Sequence, residues 1–82
     1  MKKVTFTRSA LKDLKRHSNV AARIRKAIDE YATDPKAHAN NVTELVGSSG
    51  KRMRSGDYRV IFEETDTMIL VTKVGPRSDV YE

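Results

Sequence analysis

The sequence predicts an α+β domain in the order β-α-α-β-β-β, a helical hairpin packed on one face of a small, mainly antiparallel sheet. Three observations predict it. Residues 3–7 alternate apolar and polar, apolar residues between 20 and 31 recur with helical period, and three strand-like runs between 51 and 74 are separated by short turns.

Val4 and Phe6 alternate with Lys3, Thr5 and Thr7, the period of a half-buried strand. Thr7 or Ser9 then offers a side-chain oxygen to cap a helix. That helix has Ala10, Leu11 and Leu14 as its apolar stripe, with Lys12, Asp13, Lys15 and Arg16 expected toward solvent. Ser18-Asn19 breaks and recaps the chain, with His17 placed to cap the end of the first helix. Val20, Ile24, Ala27, Ile28 and Tyr31 share one face of a second helix. Asp34-Pro35 stops it, because a proline disfavours helical geometry in the residue before it. Residues 35–49 read as a connector anchored by Val42, Leu45 and Val46, with Gly47-Ser48-Ser49-Gly50 as a flexible stretch. Strands follow at Lys51–Arg54, Tyr58–Glu64 and Met68–Val74, with turns at Ser55-Gly56-Asp57 and Thr65-Asp66-Thr67 and an end at Gly75-Pro76.

With 82 residues the chain reads as one domain, 1–82, too small to enclose a cofactor, so any site is expected to be an open groove. It has no cysteine, which excludes disulfides, thiolate catalysis and cysteine-ligated zinc. No segment reaches the ~20 apolar residues that span a bilayer, and the N-terminus lacks a secretory apolar run, so a cytoplasmic protein without a membrane partner is expected. The net charge of +5 favours polyanionic partners. Residues 1–42 carry ten Lys/Arg against four acids, whereas residues 43–82 carry six against seven. The two histidines, His17 and His38, lie far apart in the sequence, and the neighbours within Asp29-Glu30 and Glu63-Glu64 point in different directions, so no metal site is expected.

Side chains alternate across a strand, so parity decides which residues share a face. Tyr58, Val60 and Phe62 form the apolar side that meets the helices, and Met53 is its counterpart in the preceding strand. In a regular hairpin Arg52, Arg54 and Arg59 then meet on the uncovered face, where three planar donor forks suit phosphate oxygens. The plainer alternative is that these arginines form surface ion pairs with Glu63, Glu64, Asp66 and Asp79.

The run Lys51-Arg52-Met53-Arg54-Ser55-Gly56-Asp57-Tyr58-Arg59-Val60-Ile61-Phe62 resembles the central signature of the RelE/ParE toxin superfamily. The ending from Val74 to Tyr81, an arginine followed by a near-terminal tyrosine, resembles its closing segment, and the opening strand with Ala10-Leu11-Lys12-Asp13-Leu14 also fits. Arg77 and Tyr81 make the ending more similar to the RelE branch than to the ParE branch. One departure is visible: Arg52 and Arg54 keep the family's spacing of basic residues one step later than the usual pair, the earlier position being Gly50.

The resemblance implies a RelE-like fold and the toxin of a type II toxin–antitoxin pair, a ribosome-dependent mRNA endonuclease needing neither metal nor cofactor. It implies that Arg52 and Arg59 clamp the scissile phosphate, Arg77 stabilises the leaving group, and Tyr81 acts as base or stacks on a nucleotide. Lys51 or Arg54 would hold neighbouring phosphates. The implied partners are mRNA in the ribosomal A site, the ribosome with its rRNA, and a cognate antitoxin. The alternatives are a ParE-like gyrase inhibitor and a catalytically weak ribosome- or nucleic-acid-binding member of the family.

Overall fold

Thr7 both ends the first strand and starts the first helix. In the computed structural model, which describes residues 2–44 and 50–76, its Oγ1 accepts the backbone N–H of Ala10 at 3.1 Å. It thereby satisfies one of the donors a helix start leaves open. The chain runs β1 (Lys3–Phe6), α1 (Arg8–Arg16), α2 (Ser18–Thr33), a 3₁₀ turn (Ala39–Asn41), β2 (Val42–Glu44), β3 (Gly50–Ser55), β4 (Tyr58–Glu64) and β5 (Met68–Pro76). The five strands form one sheet in the order β1-β5-β4-β3-β2, with β1 parallel to β5 and every other pair antiparallel. Two helices on a mixed sheet is the predicted α+β class. Among the described residues no helix is long and apolar enough to cross a membrane.

β2 is an addition to the expected order. Its three residues were read as connector because a strand that short has no alternation to detect; pairing with β3, from Val42↔Met53 to Glu44↔Lys51, defines it. Leu45, Val46 and residues 47–49 of the connector lie outside the described residues. β5 runs two residues further than Gly75-Pro76 suggested, with Gly75 opposite Arg59 and Pro76 opposite Tyr58. β1 stops at Phe6, opposite Val71. Beyond that point β5 has β4 as its neighbour, and a proline is tolerated where a second ladder is not required.

The helices cover one sheet face. Ile24, Ile28, Tyr31 and Ala32 of α2 and Ala10 and Leu14 of α1 bury against Met53, Val60, Phe62, Ile69, Val71 and Val74. Full burial of a large aliphatic or phenyl side chain contributes roughly 1.5–3 kcal/mol before packing is counted. A bulge between Ile61 and Phe62 leaves Thr72 as the extra residue of β5, and its hydroxyl donates to the Ile61 carbonyl at 3.2 Å. The bulge lets Val74 and Val71, an odd number of residues apart, face the same core.

Two polar groups inside this arrangement were not expected there. Asp13, predicted toward solvent, is buried, and its Oδ2 accepts the Val74 backbone N–H at 2.9 Å. It joins α1 to β5 while Leu11 turns outward, 45% exposed. Glu64, predicted among the acids available to the arginines, instead turns to the helix side. Its carboxylate, 6% exposed, accepts from Lys2 Nζ and Lys51 Nζ at 2.6 Å each and from Tyr31 Oη at 2.7 Å. Burial opposes its charge, but the three donors outweigh that and hold its pKa down to about 2. The same contacts raise the pKa of Lys51, chiefly through the hydrogen bond to Glu64. Burial and the Glu64 contact raise that of Tyr31.

Two outcomes are expected in urea unfolding. Asp13→Ala strands the Val74 amide and costs about 1–3 kcal/mol, whereas Asp13→Asn keeps an acceptor and costs less. The Glu64 contribution has a defined pH window, because its folded pKa lies below the ordinary 4.5. It is fully present above about pH 5 and fades as pH falls toward 2. Glu64→Gln, destabilised by about 2–4 kcal/mol at pH 7, therefore shows a shallower loss of stability over that range than the parent protein.

Candidate functional site

The open sheet face takes its character from the register of the β3–β4 hairpin. Ser55 pairs with Tyr58 across the two central residues Gly56 and Asp57. Gly56 has φ +59° and no non-glycine residue described has positive φ, the pattern of a II′ turn. The hairpin is therefore regular, as the shared face of Arg52, Arg54 and Arg59 requires. Met53 opposes Val60 on the core side, and Arg54 opposes Arg59 on the uncovered side, with Arg52 opposite Ile61.

The three arginines line one depression of about 110 Å³ together with Asn40, Asn41 and Thr43. The row through the sheet at this level is Thr43, Arg52, Ile61 and Lys73; the next is Arg54, Arg59 and Gly75. Gly75 opposite Arg59 adds no side chain to that row. Arg52 and Arg59 are half-buried and Arg54 is exposed, and Arg59 Nη1 donates to the Tyr58 carbonyl at 3.4 Å. Lys73, Thr43, Asn40 and Asn41 were not singled out from sequence. The cross-strand register identifies the first two; the asparagines arrive by the 3₁₀ turn, which has no pattern of its own.

Lys51 is removed from this group. It shares a strand with Arg52 and Arg54, but its odd position sends it to the helix side, where Glu64 engages its ammonium. The expectation that it holds a phosphate beside the arginines is corrected accordingly. Arg77 and Tyr81 lie outside the described residues. His17 caps the C-terminus of α1 through its backbone N–H to Asp13 O. Its ring also packs edge-on against Tyr58, with Nδ1 3.3 Å from the phenol oxygen. Among the described residues no cluster of three or more His, Asp or Glu could hold a metal.

Three arginines and a lysine thus gather on the sheet face that neither helix covers, on a small α+β scaffold. The comparisons give the family to which that scaffold belongs. The sequence model of the ParE toxin of type II toxin–antitoxin systems, parDE, matches residues 4–81. The chain belongs to this family and is a toxin of the RelE/ParE superfamily, with its RelE-like branch as its structural kin. The archaeal RelE–RelB complex from Pyrococcus horikoshii matches at 26% identity and TM-score 0.75, over 96% of this chain and 98% of that one. The RelB–RelE antitoxin–toxin complex from Methanococcus jannaschii matches at 25% identity and TM-score 0.67, over 93% of each chain. The DinJ–YafQ toxin–antitoxin complex of E. coli, at 13% identity, shares the fold with TM-score 0.77 over 99% and 98%. A search of curated protein sequences returns no match.

Arg54 and Arg59 face each other on adjacent strands, and directly opposed like charges repel. Arg54→Ala is therefore expected to leave thermal stability equal or raise it by up to ~1 kcal/mol at low salt. The gain should vanish in 1 M salt, where the Debye length is ~3 Å. A lower melting temperature at low salt would show that the arginines support the fold rather than burden it.

Proposed function

We propose that the chain is a ribosome-dependent mRNA endonuclease that arrests translation in the cytoplasm and is neutralised by a cognate antitoxin. The observation that carries this reading is the pairing of Arg54 with Arg59 beside Arg52 on a face that no helix covers. Such a cluster is stabilised by the charge of a phosphodiester. It becomes more so as the phosphorane gains negative charge during reaction.

The step requires no metal. The ribose 2′-oxygen forms a bond to phosphorus and gives up its proton, and the P–O5′ bond breaks as that oxygen takes a proton. The products are a 2′,3′-cyclic phosphate and a 5′-hydroxyl. Arg52 and Arg59 hold the non-bridging oxygens, and Arg54 and Lys73 bind flanking phosphates. By the family resemblance Tyr81 serves the 2′-oxygen and Arg77 the leaving oxygen. Nearby guanidiniums favour the phenolate and bring a tyrosine, ordinarily near pKa ~10, closer to use as a base. The ribosome supplies what the small domain lacks, a message held in reactive geometry, which can contribute ~7–11 kcal/mol in favourable cases.

The partner follows from the neighbours, several of which are toxin–antitoxin complexes. Between α1 and α2 a groove of about 560 Å³ exposes Leu11 among Arg8, Lys12, Lys15 and Arg25. It suits an acidic amphipathic segment that folds on binding.

The match to the ParE toxin model favours one alternative, inhibition of DNA gyrase. In vitro translation with and without the protein, followed by mapping of message 3′ ends, separates the two. The expected result is new ends within ribosome-bound codons, reduced by about 10²-fold or more in Arg59→Ala, Arg52→Ala and Tyr81→Phe. Intact messages together with loss of gyrase supercoiling activity would establish the alternative instead.

A further inference from the structure

Tyr58 is held through both its side chain and its backbone. It opens β4 as the rung next to the hairpin turn, paired with Ser55 on one side and Pro76 on the other. The ends of elements open more readily than their centres, so the backbone here gains from an anchor outside the ladder. The corner between the two helices supplies one. Half-buried His17 ends α1 through its backbone N–H, which donates to the Asp13 carbonyl, and its own carbonyl accepts the Val20 N–H of α2 at 3.0 Å. Its ring meets the Tyr58 ring edge-on, 5.2 Å between centroids, with Nδ1 3.3 Å from the phenol oxygen. On the backbone side, the Tyr58 carbonyl accepts from Arg59 Nη1 at 3.4 Å. A contact made on the helix side therefore reaches, through one residue, a guanidinium on the open side.

We propose that Tyr58, fixed by His17, is a positioning residue for Arg59, an inference that rests on the RNA-cleaving reading. An arginine fork recognises a phosphate by the direction of its donors, and its long stem leaves that direction free until something holds it. Reaction geometry is demanding: a misplacement of about 1 Å can cost ~10²-fold in rate. A fork bonded to the preceding carbonyl takes its direction from that peptide plane. Release of the Tyr58 ring frees the plane, and the aim of Arg59 is lost with it. Arg52 and Arg54 rise from β3, a different strand, and serve as internal controls. The plainer role for Tyr58 is packing against the core, which would affect all three arginines alike.

The test uses the full chain. The side-chain Nε–H signals of Arg52, Arg54 and Arg59 are compared by NMR in the unaltered protein, Tyr58→Phe, His17→Ala and His17→Asn, whose amide can stand where Nδ1 stood. The Arg59 signal is expected to move in Tyr58→Phe and His17→Ala and to return in His17→Asn, with the other two unmoved. In single-turnover cleavage of a message on purified ribosomes, Tyr58→Phe and His17→Ala are expected to lower the rate at saturating protein by about three- to tenfold. The half-saturating concentration should stay constant, and His17→Asn should recover most of the rate. An Arg59 signal that stays in place, an equal shift of all three arginines, or a saturated rate that does not change would overturn the positioning role and leave the nuclease reading standing. Failure of the unaltered protein to cut any message would overturn the nuclease reading, while the NMR comparison still decides whether the pair aims Arg59.

Discussion

The register of the β3–β4 hairpin is the constraint on which the molecule depends. With side chains alternating at every residue, a slip of one position would carry Met53 into solvent and drive Arg52 and Arg54 into the core. Two features fix the register. Gly56 adopts the positive φ that a two-residue turn requires, and Val60 and Phe62 bury against the helices. Stability and site formation are thus two consequences of one geometric choice. Burying the apolar side of the hairpin obliges its arginines to collect on the other.

The two faces handle charge in opposite ways. On the helix side a single carboxylate, Glu64, gathers the ammonium groups of Lys2 and Lys51 and the phenol of Tyr31. It links the N-terminal segment, α2, β3 and β4 through groups that balance locally. On the open side Arg52, Arg54, Arg59 and Lys73 are brought into two adjacent rows of the sheet. Strand alternation separates Glu64, on the core side, from Arg59 on the open one. The fold therefore gathers unlike charges on its helix side and basic side chains on its open side.

A protein of this size cannot surround its ligand. Its candidate site is a surface defined by strands, open on the side away from the helices. The short β2 matters here more than its three residues suggest. It brings Thr43 and the preceding asparagines beside the arginines and stops short of Arg54, where two depressions share Asn41 and Arg54 in their linings.

The sequence by itself determined the class of fold, the helix stripe from Val20 to Tyr31, the hairpin turn and the shared face of Arg52, Arg54 and Arg59. Each of these is a local periodicity or a turn chemistry, carried by neighbours in the chain. The tertiary structure decided the rest: Lys51 turned to Glu64, Asp13 buried against the Val74 amide, Lys73 placed in the row of Arg52, and β2 made a strand at all. In each case the partner lies more than ten residues away or across a ladder. A polar residue shows no preference for such a partner until packing brings the two together.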